Sequence, residues 1–274
     1  MSYSHRDYKS NKIKKVVRYW KARLQPGASL PFSWHIGRPN FGDDINPAFF
    51  NAAVKRPIRL EIRRHRPHFL GMGSILGRAN VASTVLGSGC LMPPVAGSLQ
   101  PGHVVAVRGA LSLEGLARRE GVLLGDPMVL LNLILRDAVR RDGPVGLVPH
   151  VSEVGLARGM NIPGVKIIDP GDDPWRVIHD IADCSRIFSQ SLHGLIVADA
   201  LEIPNIWIAP GRAMVGARFK FDDYFSTLDA NKDPHPFTLD TFRGTPAHAF
   251  DVRRYRYDKK TYLEALQQAV ARQE

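Results

Sequence analysis

Short apolar runs bounded by Gly, Pro or Asn alternate with helix-length stretches from about residue 30 onward. Parallel strands need long crossover connections, so this alternation predicts βαβ units and parallel sheets. Strands are predicted at 32–36, 68–72, 84–87, 103–107, 145–149, 165–168, 185–189 and 205–209. Helices are predicted at 45–54, 110–121, 173–182, 193–201 and 259–272, and the weak periodicity of 211–250 predicts loops.

The length of 274 residues suits two compact domains, although one large α/β domain would also fit. Charge, Gly and Pro combine near residues 140–143, which predicts a boundary there. The expected organisation is a basic amphipathic tail at 1–24, an N-terminal Rossmann-like domain at 25–140 and a C-terminal Rossmann-like domain at 141–274. The final helix has one apolar face and is expected to pack back on the N-terminal domain.

The composition is that of a globular protein, with 44% hydrophobic and 23% charged residues. No run approaches the roughly 18 apolar residues that a membrane-spanning helix requires. The basic N-terminus lacks the apolar core and cleavage site of a secretory signal, so a cytoplasmic protein is expected. Cys90 and Cys184 lie far apart and outside zinc-binding spacings, which predicts reduced cysteines in the core.

Residues 1–24 contain eight Lys or Arg against one Asp, which accounts for +7 of the net charge of +11. Apolar residues recur beside this charge at helical spacing, namely Ile13, Val16, Val17, Trp20 and Leu24. A helix of this kind is expected to lie on an anionic membrane surface. A solvated, partly ordered tail is the alternative. A nucleic-acid arm is not supported, because no helix-turn-helix, zinc finger or RNP-like pattern accompanies the segment.

The sequence SQSLHG, at 189–194, joins a predicted strand to a predicted helix. A helix N-terminus presents unpaired N–H groups and the positive end of the helix dipole, so this turn is a candidate anion site. Ser189 and Ser191 supply hydroxyl groups, Gly194 permits close approach, and His193 supplies a titratable ring. The residues alone leave a simpler interpretation open, in which Ser191 only caps the helix and His193 is a half-buried histidine.

Arg108 follows the apolar run VVAV. A guanidinium at the carboxyl end of a sheet is suited to bind carboxylate or phosphate, and an ion pair with a nearby acid is the alternative. In the turn FGDDIN, Asp43 or Asp44 is the predicted N-cap of the following helix, and a capping role for both is simpler than catalysis. Gly-rich turns at 71–74 and 87–89 match neither GxGxxG nor a P-loop, so they give little support for a nucleotide site.

An ordered set of short motifs resembles the polysaccharide pyruvyltransferase family. The motifs are NFGDDIN (40–46), GMGSIL (71–76), VRGALS (107–112), GDP (125–127), VPH (148–150) and SQSLHGLIVADALEIP (189–204). A later motif, FKFDDYF at 219–225, is similar to the exopolysaccharide ketal branch of that family.

The resemblance implies two Rossmann-like domains in a glycosyltransferase-B-like (GT-B-like) arrangement, with the active site in the inter-domain cleft. It implies transfer of pyruvyl from phosphoenolpyruvate to a sugar of a bacterial exopolysaccharide repeat unit, forming a pyruvate ketal and releasing phosphate. No cofactor and no metal are expected. The acceptor is expected to be a lipid-linked oligosaccharide at the inner face of the plasma membrane, which would give the basic tail a purpose.

The resemblance also assigns roles to individual residues. Phosphoenolpyruvate contacts are expected at Arg108 and along the segment Ser191, Leu192, His193 and Gly194. His193 is the candidate acid, and Asp44 or Asp43 is the candidate base. Some relatives have Arg where this chain has Ser191, so another cation is expected to substitute, with Arg212, Arg218 and Lys220 as the candidates. Further accessory anion or acceptor contacts are assigned to Gly73, Ser74 and His150.

Two other functions remain open from the sequence. A glycosyltransferase of the same architecture would use a nucleotide sugar, and a non-catalytic module would bind an anion or saccharide without turnover. Protection against heat by a nucleotide rather than by phosphoenolpyruvate would favour the former, and binding without phosphate release would favour the latter.

Overall fold

The computed structural model describes residues 13, 17, 29–135, 139, 142–211 and 214–272. In these residues the strands are β1 Leu30–Ser33, β2 Ile58–Leu60, β3 His68–Leu70, β4 Ser83–Leu86, β5 His103–Val107, β6 Leu123–Leu124, β7 Val145–Val148, β8 Val165–Ile167, β9 Arg186–Ser189 and β10 Asn205–Trp207. They form a six-stranded sheet in the order β2-β1-β3-β4-β5-β6 and a four-stranded sheet in the order β10-β9-β7-β8. Every strand pair in both sheets is parallel, so the predicted α/β class with parallel sheets is confirmed.

Helices connect and cover these strands. In chain order they are α1 Phe41–Asp44, α2 Asn46–Val54, α3 Ala110–Leu113, α4 Leu131–Ile134, α5 Val154–Gly159, α6 Pro174–Ala182, α7 Leu192–Ala200, α8 Phe219–Phe225, α9 Leu239–Gly244 and α10 Lys259–Ala271. The predicted start of α6 is confirmed, because Pro174 occupies its first turn and Asp173 caps it by accepting from two backbone N–H groups.

Each predicted strand overlaps an observed one, and the two that the sequence did not predict are the edge strands β2 and β6. The predicted N-cap at Asp43 or Asp44 is wrong. The helical turn α1 begins earlier, at Phe41, because the side chain of Asn40 accepts a hydrogen bond from Gly42 N at 3.3 Å and serves as the cap.

Two other segments differ from their predictions. The helix expected at 110–121 ends at Leu113, because the chain beyond it pairs with a neighbouring loop. In that pairing Leu99 N donates to Gly115 O and Ala117 N donates to Leu99 O. The FKFDDYF segment, expected among loops, forms helix α8, and its Phe221, Tyr224 and Phe225 are buried in the main apolar cluster.

That apolar cluster contains residues from the helices and strands of both sheets. Helix α10, at the end of the described chain, lies against elements of the first sheet. The Tyr262 hydroxyl contacts Leu86 O and Gly125 O at 2.9 and 2.8 Å, and Gln267 Nε2 donates to Ala53 O at 2.8 Å. The boundary near residues 140–143 stays a prediction.

Ile13 and Val17, two members of the predicted apolar stripe, are helical and exposed. The rest of the basic tail lies outside the described residues. Within the described chain no helix is both long and apolar enough to span a membrane. Cys90 and Cys184 are buried and free of disulfides, as predicted.

Candidate active site

A cavity of about 410 Å³ lies between the two sheets. From the first sheet it is lined by residues that follow β1 and β3, including Asp43 and Ser74. From the second it is lined by residues that follow β7 and β9, including His150 and His193. The carboxyl ends of both sets of parallel strands therefore meet at this cavity, which is where open α/β sheets bind ligands.

The turn before α7 brings the SQSLHG segment to the cavity wall. Ser191 occupies the N-cap position of α7, but its side chain makes no capping hydrogen bond. The turn is held by Ser189 instead, whose Oγ accepts from Ser191 N and donates to Ser191 O. Ser191, Leu192 and His193 all line the cavity. The simpler interpretation of Ser191 as a side-chain cap is therefore not what the structure has.

The His193 ring is packed closely on several sides and is only 8% exposed. Phe41 meets it edge-on, with ring centroids 6.1 Å apart. A Cβ added at Gly42 would come within 2.0 Å of His193 Nδ1, so this ring position requires glycine at 42. The FGDD turn and the SLHG turn, which come from different sheets, thus fit directly against each other.

The buried carboxylate of Asp126 faces the other ring nitrogen of His193. Asp126 Oδ2 lies 3.6 Å from His193 Nε2, and neither atom has a hydrogen-bond partner within the described chain. The second carboxylate oxygen, Oδ1, accepts from Met128 N at 3.0 Å and caps the turn Pro127–Leu130. The GDP motif therefore places an acid beside the candidate catalytic histidine.

Arg108 is fully buried and binds protein groups on every arm of its guanidinium. Nε donates to Asp223 Oδ2 at 2.9 Å, Nη1 to Ser74 Oγ at 2.8 Å and Nη2 to Cys90 O at 2.6 Å. The ion-pair alternative considered for Arg108 is thus present, and it joins the end of β5 in the first sheet to helix α8. Of the groups in the described chain that Arg108 binds, Ser74 is the one that lines the cavity.

Among the described residues three cations line the cavity, namely Arg38, Arg78 and Lys220. Desolvation in the half-buried site, together with the nearby Arg108 charge, lowers the pKa of Lys220 to about 8, while Asp43 opposes that shift. Burial and the charges of Lys220 and Arg38 lower the pKa of His150 to about 4. His150 is therefore neutral near pH 7, whereas most Lys220 side chains carry a proton, which gives the cavity a positive wall suited to an anion.

The family model described as polysaccharide pyruvyl transferase matches residues 98–212. The succinoglycan biosynthesis protein ExoV of Rhizobium meliloti (strain 1021) is 28% identical over 225 residues, covering 77% of this chain and 68% of ExoV. The uncharacterized protein L143 of Acanthamoeba polyphaga mimivirus is 28% identical over 213 residues, covering 72% of this chain and 73% of L143. This chain is related to the polysaccharide pyruvyl transferases. The resemblance predicted from its sequence is confirmed.

The pyruvyl transferase match includes Arg108, Asp126, His150 and His193. All four either line the cavity or contact a residue that lines it, so the matched segment contributes several residues to one site. The matches support polysaccharide pyruvyl transferase activity for this chain.

The other predicted site residues do not all line the cavity. Asp43 lines the cavity, whereas Asp44 accepts a hydrogen bond from Asn40 N at the back of the α1 turn. A Cβ at Gly73 would approach Asp43 Oδ1 to 2.8 Å, so Gly73 makes room for that carboxylate. A Cβ at Gly194 would lie 2.4 Å from Ser189 Oγ, so Gly194 permits close packing of α7 on its own strand.

Two of the three cations proposed to take the place of an arginine at position 191 lie in the described chain, and of these Lys220 lines the cavity whereas Arg218 does not. Arg218 pairs with Asp222 on the same helix and stacks over Trp207, with its guanidinium carbon 5.1 Å from the ring centroid. Arg212 lies outside the described residues. The expectation of no metal or cofactor stays a prediction.

The sequence did not single out Asp126, Arg38 or Arg78 as site residues. Asp126 had one signal, its place in the GDP motif after an apolar pair. Arg38 and Arg78 had none beyond their positions a few residues after two predicted strands, at the carboxyl end of the first sheet.

Proposed function

We propose that this protein transfers pyruvyl from phosphoenolpyruvate to a sugar of a bacterial exopolysaccharide repeat unit, forming a pyruvate ketal and releasing phosphate. The observation that carries the proposal is the position of His193. The family-matched SLHG turn presents this ring to a cavity whose described lining also includes an acid and three cations. The relative named as a succinoglycan biosynthesis protein supports a polysaccharide acceptor.

The donor has two anionic groups, and the cavity offers separate contacts for them. The start of α7 and the Ser191 hydroxyl suit one oxyanion, since backbone N–H groups and the helix dipole converge there. Arg38, Arg78 and Lys220 suit the other. Direct binding by Arg108 would require its guanidinium to leave Asp223, so we assign Arg108 a supporting role through Ser74.

The proposed chemistry is addition of one sugar hydroxyl to C2 of phosphoenolpyruvate, followed by displacement of phosphate by a second hydroxyl. In the first step His193 delivers a proton to the methylene carbon, while Asp43 takes the proton of the attacking hydroxyl. In the second, the other hydroxyl attacks C2 through an oxocarbenium-like centre as the C2–O bond to phosphate breaks. His193 then accepts that hydroxyl's proton, and the proton held by Asp43 passes to the released phosphate.

Asp43 is preferred over Asp44 as the base because it lines the cavity. The neutral His150 can donate or accept a hydrogen bond without competing for the proton, which suits contact with the acceptor sugar.

The proposal extends to architecture and location. We propose a GT-B-like arrangement with the active site in the inter-domain cleft, supported by the cavity whose walls come from both sheets. We also propose a cytoplasmic protein that acts on a lipid-linked acceptor and meets the anionic inner membrane surface through residues 1–24. The support for this is the charge of that tail and the exposure of Ile13 and Val17.

The decisive experiment measures phosphate release from phosphoenolpyruvate with a panel of lipid-linked or synthetic oligosaccharides. Mass spectrometry of the acceptor should show a gain of pyruvate less one water. A reaction without acceptor and a His193→Gln protein serve as controls. Phosphate release with none of the acceptors, combined with thermal protection by a nucleotide and not by phosphoenolpyruvate, would replace this proposal with a nucleotide-sugar glycosyltransferase.

A further inference from the structure

Two buried polar atoms face each other behind the candidate active site. Asp126 Oδ2 and His193 Nε2 are 3.6 Å apart, and neither has a hydrogen-bond partner in the described part of the chain. Buried polar atoms in native proteins are nearly always paired, so a carboxylate oxygen and an imidazole nitrogen in this arrangement are each other's natural partners. A small closure of the gap makes the hydrogen bond.

The carboxylate of Asp126 is held in its orientation by its other oxygen. Oδ1 accepts from Met128 N at the start of the Pro127–Leu130 turn, and Asp126 itself is wholly buried. That turn packs against helix α7, which carries His193. The orientation of Oδ2 toward the histidine is therefore fixed by the fold and not by a flexible surface side chain.

The opposite side of the ring is also fixed. Gly42 leaves space only for a hydrogen where a Cβ would reach Nδ1, and Phe41 packs edge-on against the ring. Since Nε2 is buried, Nδ1 is the ring nitrogen through which His193 can meet a molecule in the cavity.

We infer that Asp126 is a positioning residue that holds His193 in the tautomer with its proton on Nε2 and directs Nδ1 to the substrate. The inference rests on the proposed function for its catalytic part. When the ring is doubly protonated, Asp126 holds the Nε2 proton and Nδ1 delivers its proton to the methylene carbon. The ring is then neutral with the proton still on Nε2, and the free Nδ1 electron pair accepts the proton of the second hydroxyl.

The test replaces Asp126 by Asn, which has the same shape. The amide oxygen can still accept from Met128 N, which leaves the amide N–H₂ group facing His193 Nε2. Nε2 must then act as an acceptor, so the ring proton moves to Nδ1. The expected result is a reversal of the His193 tautomer, from Nε2–H in the wild type to Nδ1–H in Asp126→Asn. It is measured from the ring ¹⁵N shifts of histidine-labelled protein at mildly alkaline pH.

The protein has ten histidines, and a His193→Gln spectrum identifies the relevant signals by their loss. Asp173→Asn is the matched control, because Asp173 also caps a helix through its carboxylate but lies on the surface. It should leave the His193 tautomer unchanged. An Nδ1–H tautomer in the wild type, or the same tautomer in the wild type and Asp126→Asn, would overturn the inference.

The second readout is kinetic. In Asp126→Asn we expect kcat for pyruvyl transfer to fall on the order of 100-fold with little change in the KM for phosphoenolpyruvate, because proton transfer is affected and anion binding is not. A reversed tautomer with unchanged kcat would refute the catalytic role. The tautomer measurement needs no substrate, so a protein that fails the pyruvyl transfer assay still gives a separate answer about Asp126.

Discussion

The buried Arg108–Asp223 pair offers a quantitative test of how the two sheets are joined at the active site. Asp223 accepts hydrogen bonds from Arg108 Nε at 2.9 Å, Ser112 N at 2.7 Å and Ser112 Oγ at 2.6 Å. Both side chains are at most 1% exposed. Replacing Asp223 by Asn removes the charge that compensates the guanidinium and turns an NH₂ group toward one of these donors.

Breaking a buried ion pair by removing one partner costs about 3–5 kcal/mol, because an uncompensated charge stays in the interior. We therefore expect Asp223→Asn to lower the free energy of unfolding by about that amount. For a chain of this size the change corresponds to a fall in Tm of about 6–20 °C, at roughly 2–4 °C per kcal/mol. Urea unfolding followed by circular dichroism, with the m-value fitted for each variant, gives the free energy directly.

The neighbouring residue provides the control. Asp222 lies on the same helix and pairs with Arg218 at 2.9 Å, but the two side chains are 35% and 52% exposed. Exposed i,i+4 pairs contribute about 0.3–0.5 kcal/mol after solvent screening, so Asp222→Asn should change stability by no more than that. An Arg108→Met, Asp223→Asn double variant should cost less than the two single changes together if the residues act as a unit.

The reasoning would be refuted by equal stabilities of the Asp223→Asn and Asp222→Asn proteins. It would also be refuted if Arg108→Met left stability unchanged and only raised the KM for phosphoenolpyruvate. That outcome would mean that Arg108 leaves Asp223 to bind the donor.

Three further outcomes follow from the site. Gly42→Ala should displace the His193 ring and lower kcat on the order of 100-fold. Gly155→Ala, at a helical glycine with open space around it, is the control and should leave kcat unchanged. The same kcat in both variants would disprove the contact between Gly42 and His193. The KM for phosphoenolpyruvate should rise on the order of 10-fold as pH increases through about 8, because Lys220 loses its proton there, and a pH profile of Lys220→Arg should lack this rise. Deleting residues 1–24 should weaken binding to anionic vesicles in a sedimentation assay while sparing activity on an unlinked acceptor; unchanged sedimentation would assign the segment to a solvated tail.

The parallel α/β fold could be predicted from the sequence because each interior strand is an apolar run between turn residues. The edge strands β2 and β6 of the first sheet could not, since β2 is interrupted by Arg59 within the Arg-rich run 56–66 and β6 has only two residues, so neither is an apolar run long enough to detect. The end of α3 at Leu113 was equally inaccessible. Its continuation has a helical pattern, and only pairing of Leu99 with Gly115 and Ala117 removes those residues from the helix.

The candidate site also has residues that could be assigned from the sequence and residues that could not. The resemblance to the pyruvyltransferase family assigned His193, Asp43 and Ser74 to the site, and all three line the cavity. The residues alone left His193 open as a half-buried histidine and favoured a capping role for Asp43. The roles of Asp126 and Arg108 depend on partners 67 and 115 residues away in the chain, a separation that no local pattern encodes. An arginine at a strand end has the same sequence context whether it faces a ligand or an acid. The sequence therefore could not decide between the two roles for Arg108.

The burial of Arg108 bears on how the active site is assembled. Its guanidinium joins Ser74, after β3, to Asp223 on α8, and the same helix carries Lys220 to the cavity. The FGDD turn of the first sheet and the SLHG turn of the second meet at Gly42 and His193. Both contacts cross between the sheets. Any motion of one sheet relative to the other would therefore separate the proposed base, Asp43, from the proposed acid, His193. It would also separate Lys220 from Ser74. Proton transfer in this site is therefore expected to require the closed arrangement described here, with Asp126 keeping His193 oriented when the substrate enters.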